Sequence, residues 1–555
     1  MPIQSDNPPD LTTIEQWRGL NQQSERGSID DQEEFWNENF FAVGPGNLRT
    51  CWGPTGAIYT APAGTTILRM FFGFYGAQTP QFGTPPPGAM GWMFLSDGTI
   101  DEFDLASGVK TTLRDNGVIW NPIAPEYWAS AKVWRPSFFG SSPGQVGGVL
   151  FGSPSTGTVG PGGLYAWNGT TLNRPGTPAP DWLTDAAETG GPVVTMPVGL
   201  PGIYGMEVYS SRLWVIGKDV VSFSAPSNGA DFSTADGGGS FGYFGDRLVY
   251  TYNDIAASAG YLYLFGDSSI DAINNVTLIG TPGTLPSPVT TDFNYFNIDP
   301  QCGQRFPRPV GRLGRYFCTF NGAGIYLLQG GDAVPIGDKV TNIWNTVDTS
   351  LYLPTFAPAT KFGFRVMLLN GRFTDPFGVT RSMMLMFHPT KGNEFWSVAT
   401  QGHELTQIGS YEQNSIIRPF GTDGTSVYQL LGVPDPTLVK RLSTKKLRGQ
   451  ASKFSALTIK NTKRVYAEIT DDSFSSTGAA QGVSITGTVT SGGGGIPGGV
   501  EGVDFEVTPG VKSAIVPSPV SGSGIWHAID LQSQSPDFTL ERVHLTTEER
   551  QLFGA

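Results

Sequence analysis

Charge is scarce in this chain: Asp, Glu, Lys and Arg make up 15% of its 555 residues, against about 25% in an average soluble domain. What charge there is leans acidic. With 35 basic and 48 acidic residues the formal net charge is −13, which disfavours a general electrostatic grip on nucleic acid or an anionic membrane. Cysteine is equally sparse. Cys51, Cys302 and Cys318 are odd in number and lack framework spacing, so they read as reduced structural thiols in a chain that does not pass an oxidising compartment. The four histidines, His388, His403, His527 and His544, are nowhere spaced as ligands on one helix or strand, which leaves no zinc motif. Long apolar runs are missing too. The longest uncharged stretch, between Arg135 and Arg174, is broken by Gly and Pro throughout and holds no run of about 20 apolar residues, so no spanning helix is expected. Residues 1–10 have neither the basic nor the apolar region of a secretory signal, and a cytoplasmic start is expected. No nucleophile elbow, phosphate loop or dinucleotide fingerprint stands in strand-to-helix context, so no cofactor is expected.

Glycine (74), proline (42) and aromatic residues (35 Phe, 18 Tyr, 13 Trp) are what the chain has in quantity. Aromatics supply a core, and frequent Gly and Pro then mark turns between short strands. The fold class expected is all-β. The stretch 92–113 reads as three strands separated by Ser96-Asp97-Gly98 and Ala106-Ser107-Gly108 turns, most of one antiparallel meander. Similar units recur at 164–172, 212–224, 261–270, 316–328, 366–396 and 421–430. Their spacing, about 50 residues, suits four-stranded propeller blades, and closing them in a ring removes most exposed edges. The expectation is a β-propeller of about six to eight blades over 46–435, with irregular insertions, in preference to an array of sandwiches.

Residues 1–45 read as an N-terminal arm. Asp30-Asp31-Gln32-Glu33-Glu34-Phe35-Trp36 concentrates acids ahead of aromatics, as in the first turn of a short helix. The aromatics Trp17, Phe35, Trp36, Phe40 and Phe41 are too many for a free tail, so the arm should dock on its own domain or on a neighbour. Residues 436–555 read as a small C-terminal β domain for assembly, with strands at 465–470, 483–489, 526–531 and 538–543 and a flexible loop at 492–499. It opens with the basic cluster Lys440, Arg441, Lys445, Lys446, Arg448, Lys453, Lys460, Lys463 and Arg464. Such a cluster is a solvated face or a surface for an acidic partner. The partner-contact candidates are Trp17, Phe35, Trp36, Lys445, Lys446 and Arg448.

Residues capable of chemistry are few. Ser96-Asp97-Gly98-Thr99 is similar to the turn of sialidase-type blades, but a residue is missing between Asp97 and Gly98 and Ile100 replaces the aromatic, which leaves an ordinary hairpin. The neighbouring carboxylates Asp101/Glu102 and Asp471/Asp472 would point to opposite faces of a strand, a poor arrangement for glycoside hydrolysis. No catalytic residue and no enzyme activity is expected. The runner-up reading is a carbohydrate-binding or sugar-cleaving propeller acting on host-surface glycans, with loop aromatics such as Trp120, Tyr127 and Trp128 stacking sugars.

Four stretches carry a resemblance. Ile29 to Phe41 followed by Gly44-Pro45-Gly46-Asn47-Leu48-Arg49 resembles the "acidic helix, Glu-Asn, apolar pair, Gly-x-Leu-Arg" opening of propeller proteins from tailed bacteriophages. Arg212-Leu213-Trp214-Val215 through Ser222-Phe223-Ser224-Ala225-Pro226 to Asp231-Phe232 looks like one blade of that group. Leu264-Phe265-Gly266-Asp267-Ser268-Ser269-Ile270 looks like the next, and Ser533-Gln534-Ser535-Pro536-Asp537-Phe538 resembles a C-terminal strand. The family is the tail nozzle, or tail-tube hub, of short-tailed phages. Membership implies a homo-hexameric ring that extends the portal and adaptor channel, with propellers projecting outward. Genomic DNA would pass through the lumen during ejection without tight binding, in keeping with a net charge of −13. It also implies contacts with the head-to-tail adaptor and with tail fibres or spikes, a virion tail location after assembly in the host cytoplasm, no small-molecule substrate and no catalytic residues.

Overall fold

A computed structural model describes residues 10–549 apart from 24, 31, 45, 75–88, 98, 106–107, 217–219, 227–231, 233, 243–251, 281–288, 307–309, 329, 332, 390–394, 449–458 and 494–496, and apart from 115–204, of which only the strands at 132–134, 148–152, 164–167 and 172–173 are described. The protein is all-β. Seven four-stranded antiparallel units follow one another among the described residues. Blade 1 is Ile67–Phe74, Ala89–Leu95, Ile100–Asp104 and Lys110–Arg114, and blade 2 is Lys132–Trp134, Gly148–Gly152, Leu164–Trp167 and Leu172–Asn173. Blade 3 is Gly205–Tyr209, Arg212–Ile216, Val220–Phe223 and Gly239–Gly242, and blade 4 is Tyr252–Ser258, Tyr261–Gly266, Ile270–Ile279 and Thr290–Asp299. Blade 5 is Gly311–Leu313, Tyr316–Phe320, Ile325–Leu328 and Ala333–Pro335, and blade 6 is Thr355–Lys361, Phe364–Thr374, Thr380–Phe387 and Trp396–Ala399. Blade 7 has only Gln407–Gln413, Ile416–Thr422 and Ser426–Gln429 from its own stretch, and its fourth strand is Ala57–Thr60 from ahead of blade 1. The ring is thereby closed, as a propeller requires. Gln407 fastens the seam, its side-chain amide donating to the Met70 carbonyl and accepting from the Met70 N–H, both at 3.2 Å.

Apolar layers lie between successive blades. Met70, Met93 and Phe103 of blade 1 meet Tyr59, Tyr411, Phe420 and Val427 of blade 7, and Phe41, Val366, Leu368, Met384 and Met386 meet Ile408 and Leu430 between blades 6 and 7. Each blade twists, so one face of each sheet packs on the next, and the alternation of side chains gives both faces an apolar set.

Outside the ring, the two flanks of the chain build a sandwich together. Its first sheet has the order Phe40–Val43, Asn47–Thr50, Phe538–Glu549, Lys460–Asp471, Ser513–Pro519, with Asp10–Ile14 also paired to Phe538–Glu549. Its second sheet continues blade 6. Trp396–Ala399 pairs with Glu34–Glu38, and the sheet runs on through Lys440–Thr444, Trp526–Ser533, Val483–Gly492 and Gly499–Val507, nine strands in all. Trp17, Phe40, Leu48, Val465, Ile485, Phe505, Ile529, Phe538 and Val543 fill the space between the sheets.

The short helix expected in the arm is not formed: Glu34–Glu38 is a strand. Glu34, Trp36, Asn37 and Glu38 pair with Thr444, Ser443, Leu442 and Arg441, with a bulge between Glu34 and Trp36. Of the acids that suggested a helix N-terminus, Glu34 is buried in the sheet, Glu33 is half-buried just ahead of it and Asp30 is exposed, because long-range pairing overrides local preference. No helix among the described residues is long and apolar enough to cross a membrane.

Candidate functional site

Three adjoining hollows lie along the solvent side of the nine-stranded sheet where blade 6 gives way to the sandwich. One of about 440 Å³ is lined by Phe377, Arg441, Ser443, Thr486, Asp530 and Gln532 among others. A second of about 530 Å³ shares Thr486 and Gln532 with it, and a third of about 340 Å³ shares Arg441 and includes Glu38, Arg381, His403 and Glu404. Strand register builds the floor. Asp504, Thr486, Gln532, Arg441 and Glu38 stand opposite one another on five successive strands. Thr488, Asp530, Ser443 and Trp36 form the next row on the same face. Opposed residues share a face, so the rows are a continuous hydrogen-bonding surface.

The charges on this floor are unequally compensated. Glu38 is bound by Arg381, and Asp530 is paired with Arg26 Nη2 at 2.7 Å. Arg441 makes no ion pair among the described residues, so its guanidinium is available between two of the hollows. Beside it the Phe377 ring, 52% exposed, caps Trp36 edge-on at 6.1 Å. A free guanidinium, hydroxyl and amide groups and an exposed ring can bind a polar or anionic ligand. Among the described residues no group of three or more His, Cys, Asp or Glu could hold a metal ion.

A second constellation lies at the corner where the chain passes from one sheet to the other. Asn39 has a left-handed backbone (φ 61°), a conformation Asn tolerates better than most residues. Its side chain donates to Thr400 Oγ1 at 2.7 Å and to the Val439 carbonyl at 2.8 Å, and accepts from the Thr400 N–H at 2.8 Å. Phe40 then enters the sandwich core, 5.8 Å edge-on to Phe538, while Phe41 enters the layer between blades 6 and 7. Arg49 forks onto Asp537, Nε to Oδ1 at 3.0 Å and Nη2 to Oδ2 at 2.7 Å. The first and last of the four stretches that carry the resemblance are therefore in direct contact. Lys361 sits nearby, its Nζ 3.2 Å from the Trp52 ring centre and donating to the Leu431 carbonyl at 2.7 Å. Burial pushes its pKa down to about 7.

The other singled-out residues hold the fold. Arg212 Nη1 donates to the Ser224 and Gly237 carbonyls, each at 2.7 Å, so the Arg-Leu blade motif ties strand to loop. Asp97 accepts from the Thr99 N–H at 2.9 Å in a plain hairpin turn. Asp101 accepts from Tyr59 at 2.6 Å and Glu102 from Trp92 Nε1 at 2.7 Å, on opposite faces as strand geometry dictates. Asp471 accepts from Ser473 Oγ and Asp472 from Thr539 Oγ1, each at 2.5 Å. His388 packs among Phe41, Phe364 and Phe395, His403 stacks on Tyr428, and His544 bridges Thr13 and Glu468.

Of the partner-contact candidates, Trp17 and Trp36 are buried in the chain's own core, and Phe35 lies beneath Arg26. Lys445 donates to the Ile29 carbonyl at 2.7 Å, Lys446 lies 4.7 Å over the Trp526 ring, and Arg448 is exposed. Trp120, Tyr127, Trp128 and Lys453 lie outside the described residues. Sequence reasoning passed over Arg381 and Phe377 and took Arg441 only as part of a basic run. The signal for Arg441 was its alternation with the inward Leu442.

No family model and no curated protein matches the chain. Among solved structures, BBS1N in complex with ARL6DN is 10% identical, covering 69% of this chain and 97% of that one at a TM-score of 0.36. The Pan2 WD40 domain of Neurospora crassa is 9% identical (66% and 95% covered, TM-score 0.32), and the Trypanosoma rangeli sialidase 10% identical (97% and 96%, 0.25). At these values the likenesses carry no argument on function, and the propeller assignment rests on the strand pairing itself.

Proposed function

We propose that this protein is a structural subunit of a bacteriophage tail, one protomer of a hexameric nozzle that extends the portal and adaptor channel and conducts DNA during ejection. The observation that carries the reading is the corner at Asn39. The stretches that resemble the nozzle family at the two flanks of the chain meet there through Arg49 and Asp537 and through Phe40 and Phe538. They form the joint that fixes propeller to sandwich, as a subunit with a ring-forming platform and a projecting propeller needs. Exposed apolar side chains on the sandwich, Phe474, Val500 and Ile515, supply a surface for neighbouring subunits. Assembly in the host cytoplasm into a virion, contact with adaptor and fibre or spike proteins, and the absence of catalytic work belong to the same proposal. Electron microscopy of the purified protein, alone and mixed with adaptor proteins of its genome, tests it. Six-fold rings with a central channel are expected, and a persistent monomer under all those conditions overturns it.

A second reading is favoured by Arg441 and Phe377. Their hollow suits an acidic host-surface glycan, with the guanidinium on the carboxylate and the ring under a sugar face. Glycan binding that is lost in Arg441→Ala would support this reading.

A further inference from the structure

Away from both constellations, three side chains converge where the N-terminal segment crosses the link between blades 5 and 6. Glu33 Oε1 accepts from Lys339 Nζ at 2.6 Å, and Glu33 Oε2 accepts from Asn21 Nδ2 at 2.7 Å and from the Asp30 N–H at 3.0 Å. Asn21 Oδ1 in turn accepts from the Gln23 N–H at 3.0 Å. The site is enclosed, with the Lys339 and Glu33 side chains 12% and 9% exposed and Asn21 buried. Backbone bonds hold it: Asn21 N–H to the Glu34 carbonyl at 2.9 Å and Gln22 N–H to the Lys339 carbonyl at 2.6 Å. Asn342 Nδ2 also donates to the Gln22 carbonyl. Burial works to raise the Glu33 pKa, but the bonds from Lys339, Asn21 and the Asp30 amide outweigh it and hold the pKa below the ordinary glutamate value. Glu33 is thus an ionised base between an amine and a primary amide.

That set is complete for one reaction. An amine is the nucleophile, an amide carbon the electrophile and ammonia the leaving group, with a carboxylate on both nitrogens to move protons. We propose that Lys339 and Asn21 become joined by an isopeptide bond formed within the folded chain, with Glu33 as proton relay. Glu33 takes a proton from the Lys339 ammonium, and the freed Nζ attacks Cγ of Asn21. The carbonyl electron pair moves onto Oδ1, where the Gln23 N–H already donates and stabilises the developing charge. The tetrahedral centre collapses as the Cγ–Nδ2 bond breaks, and Nδ2 departs with protons returned through Glu33. One ammonium side chain and one primary amide become one secondary amide and one ammonium ion, with no oxidant, metal or cofactor consumed. Fixing both reactants on one carboxylate supplies the proximity that lets an otherwise inert amide react. The product is a covalent loop from 21 to 339 that encloses the ring-closing strand Ala57–Thr60 and blades 1 to 5.

The test is the intact mass of the denatured full-length chain. It should fall short of the sequence mass by one ammonia, and peptide mapping should recover a branched peptide carrying both Asn21 and Lys339. Glu33→Gln and Lys339→Arg, each confirmed folded by circular dichroism, should return to full sequence mass. An unaltered chain at full mass, with Asn21 and Lys339 in separate linear peptides, overturns the proposal. So does an ammonia loss that maps to a succinimide at Asn21 and persists in Lys339→Arg. None of these outcomes depends on the role of the protein in a tail.

Discussion

Arg381 grips Glu38 with both arms of its guanidinium, Nη1 to Oε1 at 2.8 Å and Nη2 to Oε2 at 2.9 Å, across the boundary between blade 6 and the N-terminal strand Glu34–Glu38. Glu38 is 2% exposed and also accepts from Trp36 Nε1 at 3.0 Å, while Asp375 Oδ2 takes a third bond from Arg381 at 3.1 Å. The pair neutralises a buried carboxylate at the line where propeller becomes sandwich. Arg381→Met should therefore cost about 3 kcal/mol, since it strands Glu38 without a counter-charge. Adding Glu38→Gln should recover much of that loss. Urea unfolding of the single and double variants measures both, and a double variant as unstable as the single would show the burial of charge to be irrelevant.

Acid sensitivity should trace to His527. The ring is buried against Ser491 Oγ at 2.8 Å, and burial, with Lys460 nearby, lowers its pKa from the usual 6.5 to about 4. The unfolded chain therefore binds a proton that the folded chain refuses between those values. This stability is fully present above pH 6.5 and declines as the pH falls towards 4, by roughly 3 kcal/mol in total. His527→Asn should flatten that part of the pH profile in denaturant titrations at pH 7.5 and 4.5. Equal acid losses in both proteins would rule the assignment out.

Ring closure should depend on Tyr59. Its ring stacks on Phe103 at 5.2 Å and its hydroxyl donates to buried Asp101 at 2.6 Å. Tyr59→Ala should cost about 4 kcal/mol and open the strand Ala57–Thr60 to proteases. Tyr59→Phe keeps the ring and should lose only about 1 kcal/mol, with the strand still protected. Limited proteolysis with mass mapping separates the two.

In the proposed hexamer, assembly should depend on Ile515, 64% exposed on the edge strand Ser513–Pro519. Ile515→Asp should leave monomer stability within about 0.5 kcal/mol yet weaken ring formation in mass photometry. Undiminished rings would remove this surface from the subunit interface.

The propeller was legible because its information is local. Each of the seven units read from 92–113 to 421–430 falls within one blade, since an apolar strand, a Gly turn and a second strand are all neighbours in sequence. Ala57–Thr60 could not be placed from its own residues, because its partner Ser426–Gln429 lies at the far side of the ring. The same holds for Glu34–Glu38, whose strand partners lie at 441–444 and whose Glu38 is paired by Arg381. The basic run misled for a related reason. Lys440 is wholly buried and donates to the Asp435 carbonyl at 2.6 Å, Lys445 and Lys446 turn onto the chain itself, and charge counted along the sequence says nothing of which way each side chain faces. Of the candidate site, the residue types were visible, but the rows that align Asp504, Thr486, Gln532, Arg441 and Glu38 exist only through register.

The sharing of one sheet by strands from both flanks has a consequence for synthesis. Phe40–Val43 and Asn47–Thr50 leave the ribosome long before Phe538–Glu549, the strand that Asn47–Thr50 pairs with. Blades 1 to 6 can fold in sequence order, since the pairings within each are local. Trp17, Phe40 and Leu48, however, stay uncovered until the strands of 460–549 that pack on them have been made. A chain broken off before Phe538 would keep part of that apolar surface exposed and be open to aggregation or proteolysis. The sandwich thus acts as a check on synthesis, hiding the hydrophobic residues of its N-terminal strands only in a chain that has been made through Phe538–Glu549.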